Sequence, residues 1–123
     1  MIILICEDEK TLSKVLKEKF ERAKFEVFTA LSVEEVLPLA KRVKPDIILL
    51  DLIMPKIEGL EALASIKKDE DIKDIPVIML SNLNDDEKIK KSFALGAVDY
   101  LVKSQHPINE VVDKVNNLLL KIK

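Results

Sequence analysis

The sequence predicts an α/β fold, a doubly wound five-stranded parallel sheet in the order 2-1-3-4-5, spanning residues 1-123 as one domain. Two observations carry this. Short aliphatic runs at Ile2–Cys6, Phe25–Thr29, Asp46–Leu50, Pro76–Leu80 and Val98–Val102 alternate with segments of helical period. The runs IILI, IILL and VIML are also continuously apolar, which marks strands covered on both faces by helices. Right-handed crossovers between such strands leave two common strand orders, of which 2-1-3-4-5 is expected here.

The chain is apolar from Met1 through this first run, yet the run has no basic segment before it, is far too short to span a bilayer and meets Glu7-Asp8-Glu9. It reads as a strand, with no membrane association and a cytoplasmic location expected. Its Cys6, the single cysteine, reads as a small buried hydrophobe. Leu12, Val15, Leu16, Phe20 and Ala23 form the apolar stripe of the first helix. Ser32 followed by Glu35 is a capping box opening the second, which Pro38 should kink or shorten. The segment from Ser81 to Asp85 punctuates the start of the fourth helix, carrying Ile89 and Phe93. Ile108, Val111, Val112, Val115, Leu119 and Ile122 form the stripe of the fifth.

Composition narrows the function. A chain of 123 residues with 48% hydrophobic and 34% charged residues is an ordinary single domain. Lys and Arg (20) nearly balance Asp and Glu (22), and the net charge of -2 comes without a basic block. No electrostatic footprint for nucleic acid or anionic lipid results. With two glycines and no G-x-G-x-x-G, dinucleotide and P-loop sites are excluded. A flavin mononucleotide carrier of the same strand order needs a Ser/Thr/Gly-rich loop after strand 1, where this chain has CEDEK.

Ligands of such sheets sit at the carboxyl ends of the strands, beside the switch point between strands 1 and 3. The residues there are Glu7 and Asp8, then Asp51, Ser81 and Lys103. Strands ~4.8 Å apart are expected to set Asp8 beside Asp51 with Glu7 close behind. Crowded like charges call for a cation, and all-oxygen ligands suit a hard one such as Mg²⁺. A carboxylate can accept a phosphoryl group, with metal, ammonium and hydroxyl each taking one phosphoryl oxygen. Singly, each residue has a bland reading: Asp8 and Ser81 as helix caps, Asp51 as a turn residue, Lys103 as a solvated charge. Together, four strand ends on one edge of the sheet outweigh those readings.

Glu7-Asp8, then Asp51-Leu52-Ile53-Met54-Pro55 with Gly59, Ser81 and Gly96-Ala97-Val98-Asp99-Tyr100-Leu101-Val102-Lys103 resemble the receiver domain of two-component response regulators, a flavodoxin-like (βα)5 family. The resemblance implies that Asp51 is the phosphoacceptor, assisted by Lys103 and Ser81. It implies that Glu7, Asp8, Asp51 and the main-chain carbonyl of Ile53 serve Mg²⁺, and that Ser81 and Tyr100 form a switch pair. A sensor histidine kinase or phosphotransfer protein would be the donor. A downstream target protein or a homodimer would meet the face of the fourth helix, fifth strand and fifth helix, with no direct nucleic-acid contact. Such a domain is no enzyme toward external substrates, catalysing only its own phosphorylation and slow dephosphorylation, and no output domain is expected. Two departures stand out. Ser104 follows Lys103 where the family usually has proline, often after a cis bond. Ile53 and Leu83 are apolar where a polar side chain could align a hydrolytic water.

Overall fold

The structure is a computed structural model. It describes residues 1–51, 59–82 and 85–122, less the side chains of Val33 and Ile122. The strands β1 (Ile2–Cys6), β2 (Glu26–Ala30), β3 (Ile47–Asp51), β4 (Val77–Ser81) and β5 (Asp99–Val102) alternate with helices α1 (Lys10–Arg22), α2 (Val33–Val43), α3 (Gly59–Lys68), α4 (Asp86–Ala94) and α5 (Ile108–Ile122). All pairings are parallel and the order is β2-β1-β3-β4-β5. The expected fold class is the observed one.

Strand alternation explains the continuous apolar runs. Leu4, Cys6, Ile48, Leu50, Val77 and Met79 pack on one face, against α2 and α3 through Val36, Ala40, Leu63 and Ile66. Ile3, Ile5, Ile47, Leu49, Ile78 and Leu80 pack on the other, against α1 and α5 through Leu16, Phe20, Val115 and Leu119. Both faces are dry, so neither phase of the alternation can be polar. β3 and β4 are buried at every position.

Four strands, β2 to β5, start one residue later than the apolar runs suggest. β3 and β4 gain their last residues through the pairs Asp51↔Leu80 and Ser81↔Val102. Asp51 and Ser81 therefore close the strands and are not the first residues of loops. Their main chains are held by the ladder, which fixes where their side chains leave the sheet. Phe25 drops out of β2 and packs edge-on to Phe20, with ring centroids 5.3 Å apart.

Local signals were read with mixed success. Pro38 does not end α2, which runs on to Val43. Pro38 and Glu34 lie on the exposed face, so water can serve the Glu34 carbonyl that loses its i+4 donor. Ser32 makes no side-chain cap bond, and Glu35 reaches back one residue further, its Oε2 accepting from the Leu31 N–H at 2.9 Å. The expected box is not formed, and Glu35 ties down the residue before the cap instead. Asp85 caps α4, accepting from the N–H groups of Glu87 and Lys88. Phe93, one of the two apolar residues noted on that helix, is 47% exposed, while Ser92 is buried with its hydroxyl donating to the Lys88 carbonyl. Among the described residues no peptide bond is cis, so Lys103–Ser104 is trans, the form a non-proline residue prefers.

Candidate functional site

The register decides which acids meet. β1 and β3 pair through Cys6↔Leu50, so the next step of the ladder sets Glu7, and not the expected Asp8, level with Asp51. Glu7 is 2% exposed and Asp51 6%, whereas Asp8 is exposed. The Glu7 N–H is tied to the Ala30 carbonyl at 3.0 Å, fixing the point where its side chain leaves the sheet. Neither bland cap reading survives, since the cap positions of α1 and α4 are Glu9 and Asp85.

Lys103 follows β5, and its N–H donates to the Ser81 carbonyl at 2.8 Å. Its Nζ donates to Glu7 Oε1 at 2.5 Å and to Asp51 Oδ2 at 3.3 Å. The ammonium thus bridges two buried carboxylates across strands β1, β3 and β5, a pairing that sequence spacing had left open. Ser81 is 1% exposed. Tyr100 is buried in β5, near enough to Ser81 for the serine to act on its titration. All the expected site side chains that are described converge on this edge. Ile53 and Leu83 lie outside the described residues.

One oxygen from each of Glu7, Asp8 and Asp51 lies within 4.8 Å of the others, close enough to share one cation. The donor set also fits a hard divalent ion: Glu7 Oε2 is buried with no hydrogen-bond partner among the described residues. Such an atom carries the full desolvation cost unless a further group covers it. An oxygen-seeking cation is a group that can.

The electrostatics follow from that crowding. Burial, then the neighbouring Asp51 carboxyl, pushes the Glu7 carboxyl up to about 7 against the opposing pull of Lys103. Burial works to lower Lys103, but Glu7 and Asp51 outweigh it and raise the ammonium above its ordinary value. Burial, with Asp51 and Glu7 adding to it, pushes the Cys6 thiol up to about 12. The thiolate is negligible at neutral pH, and Cys6 is the small buried hydrophobe expected. Burial likewise raises Tyr100, partly offset by Ser81.

Glu7 makes a pH prediction. Its carboxyl titrates near 4.5 unfolded and near 7 folded, so between those values the folded chain binds more protons than the unfolded one. Stability then falls as pH rises through that window. In EDTA, Tm should drop from pH 4.5 to pH 7, and Glu7→Gln should flatten that drop. An equally steep drop in Glu7→Gln would assign it to another group.

A model of the response regulator receiver domain matches residues 3–116. The chain belongs to that family. The receiver domain is 34% identical over 95% of its length to the DNA-binding dual master transcriptional regulator RpaA of Synechocystis sp., covering 48% of that protein. It spans about half the length of the curated relatives it matches. Among solved structures, the receiver domain of Francisella response regulator 1452 superposes with a TM-score of 0.89 at 30% identity, covering 99% of this chain and 98% of that one. The Mn²⁺-bound form of response regulator Rcp1 superposes with a TM-score of 0.79 at 28% identity, covering 95% and 90%. No helix among the described residues is long and apolar enough to cross a membrane.

Proposed function

We propose that this receiver domain is a phosphorylation-dependent switch of a two-component system, in which Asp51 takes a phosphoryl group from a histidine kinase or phosphotransfer protein. The observation that carries this reading is the Lys103 ammonium held between Glu7 and Asp51 at the switch point of the sheet. An Asp51 oxygen forms the new O–P bond as the donor's P–N bond breaks in line with it. Positioning and charge neutralisation supply the catalysis. Lys103 and the Ser81 hydroxyl each take a phosphoryl oxygen. Glu7, Asp8 and Asp51, with the Ile53 carbonyl as a further donor, would hold Mg²⁺, which supplies positive charge against the phosphoryl oxygens. The Mn²⁺ named for Rcp1 supports a divalent ion here.

The readout runs through Ser81 and Tyr100. Phosphorylation adds ~1.5 to 2 negative charges beside the Ser81 hydroxyl, which lies close to Tyr100. Tyr100 is buried, so a Ser81 hydroxyl drawn inward frees space behind it for the ring and biases the α4-β5-α5 face toward one arrangement. A downstream target or a second copy would read that face. No turnover of an external substrate is proposed, and the domain is assigned to the cytoplasm. The absence of nucleic-acid contact is proposed for this stretch alone, because RpaA, of which it covers 48%, is named as DNA-binding.

Lifetime gives a further prediction. Ile53 and Leu83 cannot align a hydrolytic water, so the aspartyl-phosphate should persist longer than in receivers with a polar side chain at these positions. Following decay of the phosphorylated protein should show acceleration in Ile53→Asn or Leu83→Glu; unchanged decay in both would remove these residues from the account. The function itself is tested by Phos-tag electrophoresis after incubation with acetyl phosphate and Mg²⁺. A retarded band that needs Mg²⁺ is expected, and no retardation would leave the fold a docking module only.

A further inference from the structure

β2 forms one edge of the sheet, pairing with β1 and with no other described strand. The Glu26 N–H donates to the Met1 carbonyl, and the Ala30 carbonyl accepts from Glu7. Even-numbered main-chain groups of β2 therefore turn toward β1. By the two-residue alternation of a strand, the N–H and C=O of Val27 and Thr29 turn outward, toward the open edge.

A groove of about 700 Å³ follows that edge, lined by Lys17, Val27, Phe28, Glu35, Leu39 and Arg42 among others. α1 and α2 cover opposite faces of the sheet, and the groove draws on both. Val27 packs toward the α1 face and Phe28 toward the α2 face, and both are partly exposed. Lys17 and Arg42 are exposed, and neither makes an ion pair with a described residue. The one acid of the lining, Glu35, has an oxygen engaged by the Leu31 N–H.

An outward main-chain ladder, an apolar floor and a cation on either side are what an extended acidic peptide needs. We propose that the β2 edge receives such a segment of a partner protein as a sixth strand. Its main chain pairs with Val27 and Thr29, the apolar side chains it turns to the α2 face rest on Phe28 and Leu39 beside Arg42, and the carboxylates it turns to the α1 face meet Lys17. Charge complementarity selects this occupant. A second copy, joined edge to edge about a twofold axis, would set the same cations of each copy against the other. Charged side chains at a sheet edge can also serve only to block pairing, and the experiment separates that case. None of the groove's residues takes part in the phosphoryl transfer proposed above.

The probe is a fluorescein-labelled Glu-Val-Glu-Val-Glu-Val peptide, titrated into the full chain and followed by anisotropy and by amide exchange. Saturable binding is expected, with slowed exchange at Val27 and Thr29. Lys17→Glu combined with Arg42→Glu should weaken binding at least about tenfold. Thr29→Pro should do the same, because it removes an outward donor that an edge strand can spare. Should Thr29→Pro fail to fold, wild-type exchange at Val27 and Thr29 decides the pairing. The proposal is overturned by no saturable binding up to ~1 mM, by equal binding of Lys-Val-Lys-Val-Lys-Val, by unchanged affinity in the charge-reversed variant, or by exchange that stays fast at both residues. Concentration-dependent dimerisation lost in Thr29→Pro would assign the edge to a second copy and overturn it too.

Discussion

Asp51→Asn is expected to reduce phosphoryl incorporation to background, with the protein still folded. The amide oxygen is a poor nucleophile and carries no charge, so the O–P bond cannot form at a useful rate. Folding should survive for a reason visible in the site. Asp51 and Glu7 are like-charged neighbours in a buried setting, so removing one charge relieves repulsion while Lys103 keeps its bond to Glu7. Tm in EDTA should therefore be equal or higher. Thermal denaturation and labelling on one preparation check both halves. Undiminished labelling of a folded Asp51→Asn would show that another residue accepts the phosphoryl group.

Lys103→Met is expected to have the next largest effect, in two separable ways. Losing one preorganised charge that meets the phosphoryl oxygens should slow phosphorylation by roughly 10² to 10³-fold. Losing the cation between Glu7 and Asp51 should also destabilise the metal-free fold by on the order of 2 kcal/mol, because two buried acids then face each other unbalanced. Mg²⁺ should restore part of the stability but not the rate, since only the second loss is one of neutralising the acids. Lys103→Arg, which keeps the charge, should recover stability more fully than rate. If Lys103→Met phosphorylated at the wild-type rate, the ammonium would be structural.

The fold was legible because both faces of the sheet are covered. Runs such as IILL at Ile47–Leu50 carry no competing polar signal, and β3 is buried throughout. The site residues were legible by their positions: Asp51, Ser81 and Lys103 are abrupt polar residues at the ends of apolar runs. The local partnerships were not. Whether Glu7 or Asp8 meets Asp51 depends on a one-residue register between strands that lie far apart in sequence. The Glu7–Lys103 bond joins residues 96 positions apart, so no spacing rule reaches it. That Pro38 does not end α2 has a related reason, because whether a helix runs on past proline depends on what can serve the freed carbonyl, and the burial that decides this is tertiary.

The central claim is that Asp51 becomes an aspartyl-phosphate with the help of the acids around it. Its most direct test is borohydride trapping, which reduces an acyl phosphate to an alcohol and releases phosphate, converting the modified aspartate to homoserine. The full chain would be incubated with acetyl phosphate, with Mg²⁺ or with EDTA, then reduced, digested and mapped by mass spectrometry. Homoserine at position 51 alone, in the Mg²⁺ sample and not in the EDTA sample, is the predicted result. Homoserine at another acid, or none in either sample, would contradict the assignment of this edge of the sheet to phosphoryl transfer.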